Sequence, residues 1–205
     1  MNINKITYPK IFQINSKPYG KSYVKWTEKW WQWLFSIPKD QSPVLDKTGE
    51  NSNKEQSGPV WYLVGTTGNR SRARRACVIP YGKSILFPII VSQFSCTEKP
   101  SKSRQELVSD AAKDIDLTSY LEVIIDNIRL SGLSRYRIQS YFSLKLVKGN
   151  IWNLKPGWTW AASDGFWVFL KPLSEGKHAI SFEGIEPNFN TKVHYNVTIS
   201  CTTKK

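Results

Sequence analysis

Histidine is the residue type best suited to proton transfer at neutral pH, and this 205-residue chain contains two, His178 and His194. His178 lies in a tight turn that enters a predicted strand, and His194 begins the last predicted strand on its solvent-facing side. Asp164 precedes another predicted strand in an Asp-Gly pair, a common turn dipeptide. If these side chains converge with Glu183 at one end of the fold, they form a metal site or an acid–base pair; otherwise each is a turn or surface residue. Asp164 and His178 are the catalytic candidates.

Three other carboxylates flank a tryptophan-rich segment: Glu28, Asp40 and Asp46. Paired carboxylates beside an aromatic platform suit glycoside hydrolysis when their separation is fixed. Nothing in the sequence fixes it, so these residues carry no prediction of a reaction.

The pentapeptide Pro-Tyr-Gly-Lys-Ser occurs at 18–22 and again at 80–84. A phosphate-binding loop requires a glycine five residues before the glycine of Gly-Lys-Ser, and those positions hold Asn15 and Cys77. The pattern is therefore typical of a turn that opens the next element, and we predict no nucleotide or other cofactor.

Cysteine and histidine are too few for a zinc site. The three cysteines, Cys77, Cys96 and Cys201, include no Cys-x-x-Cys pair, and two histidines do not complete a site with them. We therefore predict no bound metal. The odd count leaves at least one thiol free. One disulfide is expected if the protein is exported, and small core thiols are expected in a reducing compartment.

The chain carries a formal net charge of +13, with 29 Lys and Arg against 16 Asp and Glu. This balance favours a glycan or another anionic ligand, and nucleic acid through nonspecific charge; the alternative is that most of these charges are solvated. In the basic run 70–75, strand geometry places Arg72 and Arg74 on one face and Arg75 on the other. The face that carries Arg72 and Arg74 either contacts a polyanion or belongs to an edge strand whose charges prevent pairing with another chain.

A helix with a wide aromatic face is predicted from about Ser22 to Phe35, and Pro38 ends it. Its apolar stripe has the 3-4-3-4 spacing of one helix face: Tyr23, Trp26, Trp30, Trp33 and Ile37. We expect most of this stripe to anchor the helix in a core. The ligand candidates lie off the centre of the stripe or beside it: Trp31, Gln32, Lys25 and Lys29.

A second tryptophan cluster occurs within sixteen residues: Trp152, Trp158, Trp160 and Trp167. If 157–161 is extended, Trp158 and Trp160 share one strand face. Aromatic rings at an exposed lip stack on sugar rings or on bases. We therefore add Trp158 and Trp160 to the ligand candidates.

Many short strands at intervals of about ten residues, with two helices, indicate a mainly β fold, an antiparallel β-sandwich of the jelly-roll or immunoglobulin-like type. The tryptophan-rich helix is expected to dock on it. A second helix follows Pro100, with a capping box formed by Ser103 and Glu106, and Asp126-Asn127 predicts a two-residue hairpin turn of type I′. The predicted strands are 59–66, 74–79, 84–92, 120–125, 128–130, 135–146, 157–161, 166–170, 177–182 and 192–200.

No composition break suggests a linker between domains. We predict an N-terminal arm at 1–20, one sandwich domain at 21–201 and a basic tail at 202–205. The N-terminus has no apolar core of a signal peptide, and no stretch has the roughly 18 apolar residues of a membrane helix. A cytoplasmic location is expected, or export if Met1 replaces a removed signal.

Several short motifs follow one another in a fixed order: Tyr-Gly-Lys-Ser-Tyr at 19–23, Trp-Trp-Gln-Trp at 30–33, Ser-Ile-Pro at 36–38, Gln-Ser-Gly-Pro-Val-Trp at 56–61, Ser-Asp-Gly-Phe-Trp at 163–167 and Gly-Lys-His-x-Ile at 176–180. Over residues 18–200 this order resembles a family of small bacterial and archaeal proteins without an assigned function, many of them exported. The resemblance implies no chemistry. It does imply a cysteine near the position of Ser52 as the partner of Cys77; serine here excludes that bridge.

Three functions remain open from the sequence. The leading hypothesis is a non-catalytic binding protein that holds a glycan or another polyanionic ligand through aromatic and basic surface residues. The second is a hydrolase or metal-dependent enzyme that uses Asp164 and His178. The third is a structural or interaction module that docks a partner or a second copy of itself through tryptophans.

Overall fold

The computed structural model describes residues 8–68 and 72–201. The first two residues of the basic run, 70–71, and the predicted tail at 202–205 lie outside these ranges. The described chain is mainly β, as predicted, with two α-helices: α1 (Tyr23–Phe35) and α2 (Arg104–Asp116). The strands are β1 (Val60–Tyr62), β2 (Arg72–Pro80), β3 (Ser84–Ser95), β4 (Tyr120–Ile125), β5 (Ile128–Arg129), β6 (Ser140–Leu146), β7 (Gly157–Leu170), β8 (Gly176–Ile185) and β9 (Asn190–Ser200). Short 3-10 helices occupy Pro18–Gly20, Lys39–Gln41 and Leu133–Tyr136. No helix in the described part of the chain is long and apolar enough to span a membrane.

The strands form two sheets that pack face to face. One sheet has the order β1-β3-β7-β6 and the other the order β2-β9-β8-β4-β5. Both are mixed, because the edge strands β1 and β2 pair in parallel with β3 and β9 while the remaining pairs are antiparallel. Strands β1 and β2 follow each other along the chain but lie in different sheets, so the segments predicted at 59–66 and 74–79 do not pair as a hairpin.

Two apolar layers hold the fold together. The first lies between the sheets, where alternate residues of β9 point inward and are at most 2% exposed: Val193, Tyr195, Val197 and Ile199. The second lies between α1 and the four-stranded sheet. The four-stranded sheet is therefore covered on both faces, by the other sheet and by α1.

Helix α1 is anchored by its tryptophans, as its stripe predicts. The Ser22 hydroxyl caps the helix by accepting a hydrogen bond from the N–H of Lys25 at 3.2 Å. All four indole N–H groups of the segment are buried and donate a hydrogen bond, so docking leaves none unsatisfied. The pairs are Trp26 to Pro18 O (2.8 Å), Trp30 to Leu63 O (2.8 Å), Trp31 to Ser163 Oγ (2.8 Å) and Trp33 to Lys54 O (2.9 Å).

Local signals in the second half of the chain are confirmed. Ser103 and Glu106 form the capping box of α2, and α2 packs on β3 and β7. Asp126 and Asn127 have φ values of 49° and 66°, as a type I′ turn between β4 and β5 requires.

Strand β7 corrects the prediction of two strands separated by an Asp-Gly turn. The segments 157–161 and 166–170 belong to one continuous strand that includes Asp164 and Gly165. A Cβ on Gly165 would lie 2.5 Å from the carbonyl oxygen of Ile90. Glycine is required here because strand β3 approaches closely, and not because the chain turns.

Candidate ligand-binding surface

The two faces of β7 have different environments along the strand. On one face, Ala161, Trp167 and Phe169 pack in the layer under α1. On the other face, Phe166 and Val168 pack against the second sheet. Because side chains alternate, Trp158 and Trp160 continue this second face beyond the covering elements. They are 72% and 52% exposed.

Strand β6 completes an aromatic surface beside these residues. The antiparallel register sets Ser143 opposite Trp160 and Tyr141 diagonal to it. The rings of Tyr141 and Trp160 stack with centroids 5.2 Å apart and an angle of 3° between their planes. We call Tyr141, Trp158 and Trp160 the aromatic platform.

Basic side chains border the aromatic platform. Lys145 of β6 is exposed and stands opposite Trp158 in the register. Arg104, at the start of α2, places its guanidinium 4.7 Å from the centroid of Tyr141, close enough for a cation–π contact. Neither cation forms an ion pair with a carboxylate in the described chain. Both charges are therefore open to an anionic group on a ligand.

Exposing this platform costs stability. Burial of a large apolar side chain contributes roughly 2 kcal/mol, and two tryptophans on adjacent same-face positions forgo much of that contribution. Contiguous exposed apolar surface of this kind is typical of interaction sites. The strand alternation predicted Trp158 and Trp160. Tyr141, Lys145 and Arg104 were missed, although alternation around Phe142 and Leu144 places Tyr141 and Lys145 on the outer face.

The ligand candidates on α1 lie elsewhere. Trp31 is 5% exposed, with its N–H bound to Ser163 and its ring edge-on to that of Trp30; it is a core residue and not an exposed contact. The Gln32 amide donates to the carbonyl of Ser143 at 3.0 Å. Lys25 is exposed and pairs with Glu28 at 2.6 Å, and Lys29 is partly buried.

The basic strand β2 has the predicted alternation. Arg72 and Arg74 are exposed on the outer face of the five-stranded sheet, opposite Lys192 and His194 in the register. Two acidic residues, Glu122 and Glu183, line the same shallow depression as the two arginines. The surface is of mixed charge and is separate from the aromatic platform.

The sequence suggested that Asp164 is a free carboxylate at a turn. In the structure it lies inside strand β7 and is paired. It is 1% exposed, and Arg137 holds it with Nη2 2.8 Å from Oδ2. Arg137 also contacts Asp116 at 2.7 Å. Hydrogen bonds to Asp164 and then to Asp116 raise the pKa of the Arg137 guanidinium above its usual value. This arrangement cross-links α2 to β7 and leaves Asp164 no access to a substrate.

His178 has different partners and does not contact Asp164. Its Nδ1 lies 2.6 Å from Oδ2 of Asp126, and its Nε2 lies 2.9 Å from the carbonyl oxygen of Ser174. The Ser174 hydroxyl is 3.4 Å from Nε2, which is long for a nucleophile activated by a base. Both ring nitrogens therefore face oxygen atoms of Asp126 and Ser174, and neither faces Asp164.

The cysteines are all free thiols. Cys77 is buried, and burial raises the pKa of its thiol to about 12, so it is unsuited to act as a nucleophile at neutral pH. The side chains of Ser52 and Cys77 lie close together and line the same cavity, at the two positions that the family resemblance pairs.

Among residues 8–68 and 72–201, no group of three or more His, Cys, Asp and Glu side chains is placed to hold a metal ion. The aromatic platform with its two basic neighbours, Lys145 and Arg104, is the candidate ligand-binding surface. A scan of the chain against protein-family models finds no matching family, and searches among curated proteins and among solved structures find no match.

Proposed function

We propose that this protein is a non-catalytic binding protein that holds a glycan on the aromatic platform. The observation that carries the proposal is the exposure of Trp158 and Trp160, at 72% and 52%, on one face of a rigid strand. Indole rings bind the apolar faces of sugar rings and exclude water from them. Side chains fixed on a strand lose little conformational entropy when a ligand binds.

The charges favour a glycan that carries acidic groups. Lys145 and Arg104 border the platform without carboxylate partners in the described chain, and the net charge of +13 attracts anions at long range. Stacking supplies contact area, and the two cations select carboxylate or sulfate groups beside the ring.

The partners of Asp164 and His178 favour binding over catalysis. An acid–base pair needs one group free to take a proton and access to a substrate. Asp164 is buried against Arg137, and both nitrogens of His178 face acceptors.

A glycan and nucleic-acid array at low and moderate salt tests the proposal. We expect signal for acidic oligosaccharides that persists at moderate salt, because stacking is not screened. If every polyanion gives a signal and all of these signals disappear at moderate salt, the interaction is nonspecific electrostatic attraction. Signal restricted to single-stranded nucleic acid would assign the platform to bases.

Sedimentation velocity separates ligand binding from self-association through the same surface. We expect a monomer whose sedimentation does not change with concentration. A dimer that Trp158→Ala dissociates would assign the platform to a second copy of the chain, and would overturn the glycan proposal.

A further inference from the structure

Strand β3 extends beyond its neighbour β1, which opens one edge of the four-stranded sheet. β1 pairs with β3 over three residues, and the N–H of Leu63 adds a last hydrogen bond to the carbonyl of Leu86 at 3.0 Å. The chain then leaves β3 for the other sheet, where the N–H of Thr66 donates to the Thr191 hydroxyl at 2.9 Å. In the described chain, the rest of β3 is paired with β7 on its opposite side only.

Main-chain groups of Val91 and Gln93 face this open edge. Successive residues of a strand direct their N–H and C=O groups to opposite edges. The N–H of Cys96 donates to β7 at 2.9 Å, whereas the N–H of Ser95 points the other way and donates to the Glu98 carboxylate at 2.8 Å. Val91 and Gln93 therefore face away from β7 as Ser95 does. No described backbone group hydrogen-bonds them on that side.

A cavity of about 360 Å³ lies along this edge, and we call it the edge cleft. Its apolar lining includes Phe189 ahead of β9 and Trp152, which is 47% exposed, together with the largely buried Trp30 and Trp31 of α1. Gln93 also lines it, and the side-chain oxygen of Gln93 is buried without a hydrogen-bond partner. Apolar walls beside a free strand edge suit an extended chain, because the walls take side chains while the edge takes the backbone.

The edge cleft is acidic, although the protein is strongly basic. Three carboxylates line it, those of Glu98, Asp114 and Glu186, and no described lysine, arginine or histidine does. Asp114 accepts a hydrogen bond from the Ser92 hydroxyl at 2.6 Å, and no described cation pairs with Asp114 or Glu186. Burial, and then the charge of Asp114, raise the pKa of Glu186. A bound cation would relieve this repulsion.

We propose that the edge cleft binds an extended peptide of a partner protein, which adds to β3 as a strand in the place that β1 leaves empty. A lysine or arginine of the peptide lies against Asp114 and Glu186, and the apolar side chains of the peptide contact Phe189 and Trp152. The site shares no residue with the aromatic platform, so each site can be altered without changing a residue of the other.

Blocked heptapeptides of alternating valine and threonine, with lysine, norleucine or glutamate at the centre, test the proposal by calorimetry and by amide NMR. We expect the lysine peptide to bind roughly tenfold more tightly than the norleucine peptide, since a charge-assisted hydrogen bond contributes about 1.5 kcal/mol. The amide signals of Val91 and Gln93 shift on binding. N-methylation of the peptide amides that face β3 abolishes binding without any change in the protein.

The double variant Asp114→Asn, Glu186→Gln should lose the preference for lysine over norleucine. Asp40→Asn, an exposed carboxylate away from the cleft, should keep it. Equal binding of the lysine and norleucine peptides, unchanged binding after N-methylation, or no binding by any peptide of the set would overturn the proposal. A concentration-dependent dimer that the double variant abolishes would assign the cleft to a second copy of the chain, and would overturn it as well.

Discussion

The ring of Tyr141 lies parallel to the ring of Trp160, with 3° between their planes and 5.2 Å between their centroids. This contact restricts the orientation of one tryptophan of the aromatic platform. A surface restricted in this way loses less entropy on binding than a mobile one.

Replacing Tyr141 with leucine should weaken glycan binding. We expect a loss of about 2- to 12-fold, because an aromatic pair contributes about 0.5–1.5 kcal/mol beyond its buried area. Calorimetry with an acidic oligosaccharide measures the change. The control is Tyr81→Leu, which alters a tyrosine that is 57% exposed on another part of the surface. Equal affinity of the two variants would show that Tyr141 does not position the platform.

Arg75 and Arg74 are neighbours with opposite environments. Arg75 is 2% exposed, and its guanidinium donates to four main-chain carbonyls and to the Tyr195 hydroxyl. Arg75→Met removes the donor to the carbonyls of Val44, Asp46 and Gly65 and should lower the free energy of unfolding by at least about 3 kcal/mol. Arg74→Met, on the exposed face, should change it by less than about 0.5 kcal/mol. Urea denaturation compares the two, and similar midpoints would contradict this role.

Asp164 should act as a structural residue. Asp164→Asn weakens a buried ion pair, and we expect a loss of about 2 kcal/mol because Arg137 keeps its second partner, Asp116. Asp116→Asn changes a side chain that is 61% exposed and should cost less than about 1 kcal/mol. Thermal denaturation measures both. If Asp164→Asn leaves the stability unchanged but alters the rate of a reaction that the protein catalyses, the hypothesis of an enzyme that uses Asp164 would be supported instead.

The contact between Ser52 and Cys77 allows an engineered bridge. Ser52→Cys should form a disulfide with Cys77 under mild oxidation and stabilise the fold by about 3 kcal/mol, as expected for a loop of this length. Thiol titration of the unfolded protein would then detect only Cys96 and Cys201, and the matched control is Ser52→Ala. Failure of the bridge to form under the same oxidation would contradict the close approach of the two side chains.

Alternation of side chains explains what the sequence predicted well. The inward residues of β9, the outward pair Trp158 and Trp160, and the opposed faces of Arg74 and Arg75 all follow from a period of two. The anchoring role of α1 follows from its helical period. These features depend on near neighbours in the chain.

Features that depend on distant contacts were not predictable. Asp164-Gly165 reads as a turn, but the close approach of β3 requires glycine inside a strand. The segment 59–66 reads as one strand, but Thr66 bonds Thr191 in the other sheet, so β1 ends early and the edge cleft opens. Asp114 and Glu186 come from separate elements, and no spacing in the sequence relates them.

The most direct test of the central claim is calorimetric titration of an acidic oligosaccharide, chosen from the array, into the wild-type protein and the double variant Trp158→Ala, Trp160→Ala. Both altered residues are exposed, so the fold should be retained. Trp152→Ala, at a half-exposed tryptophan outside the platform, is the control. We predict that the double variant loses at least about 30-fold in affinity, from about 1 kcal/mol or more for each lost stacking contact, while the control binds as the wild type does. Equal binding by the double variant and the wild type would contradict the assignment of the aromatic platform as the glycan site.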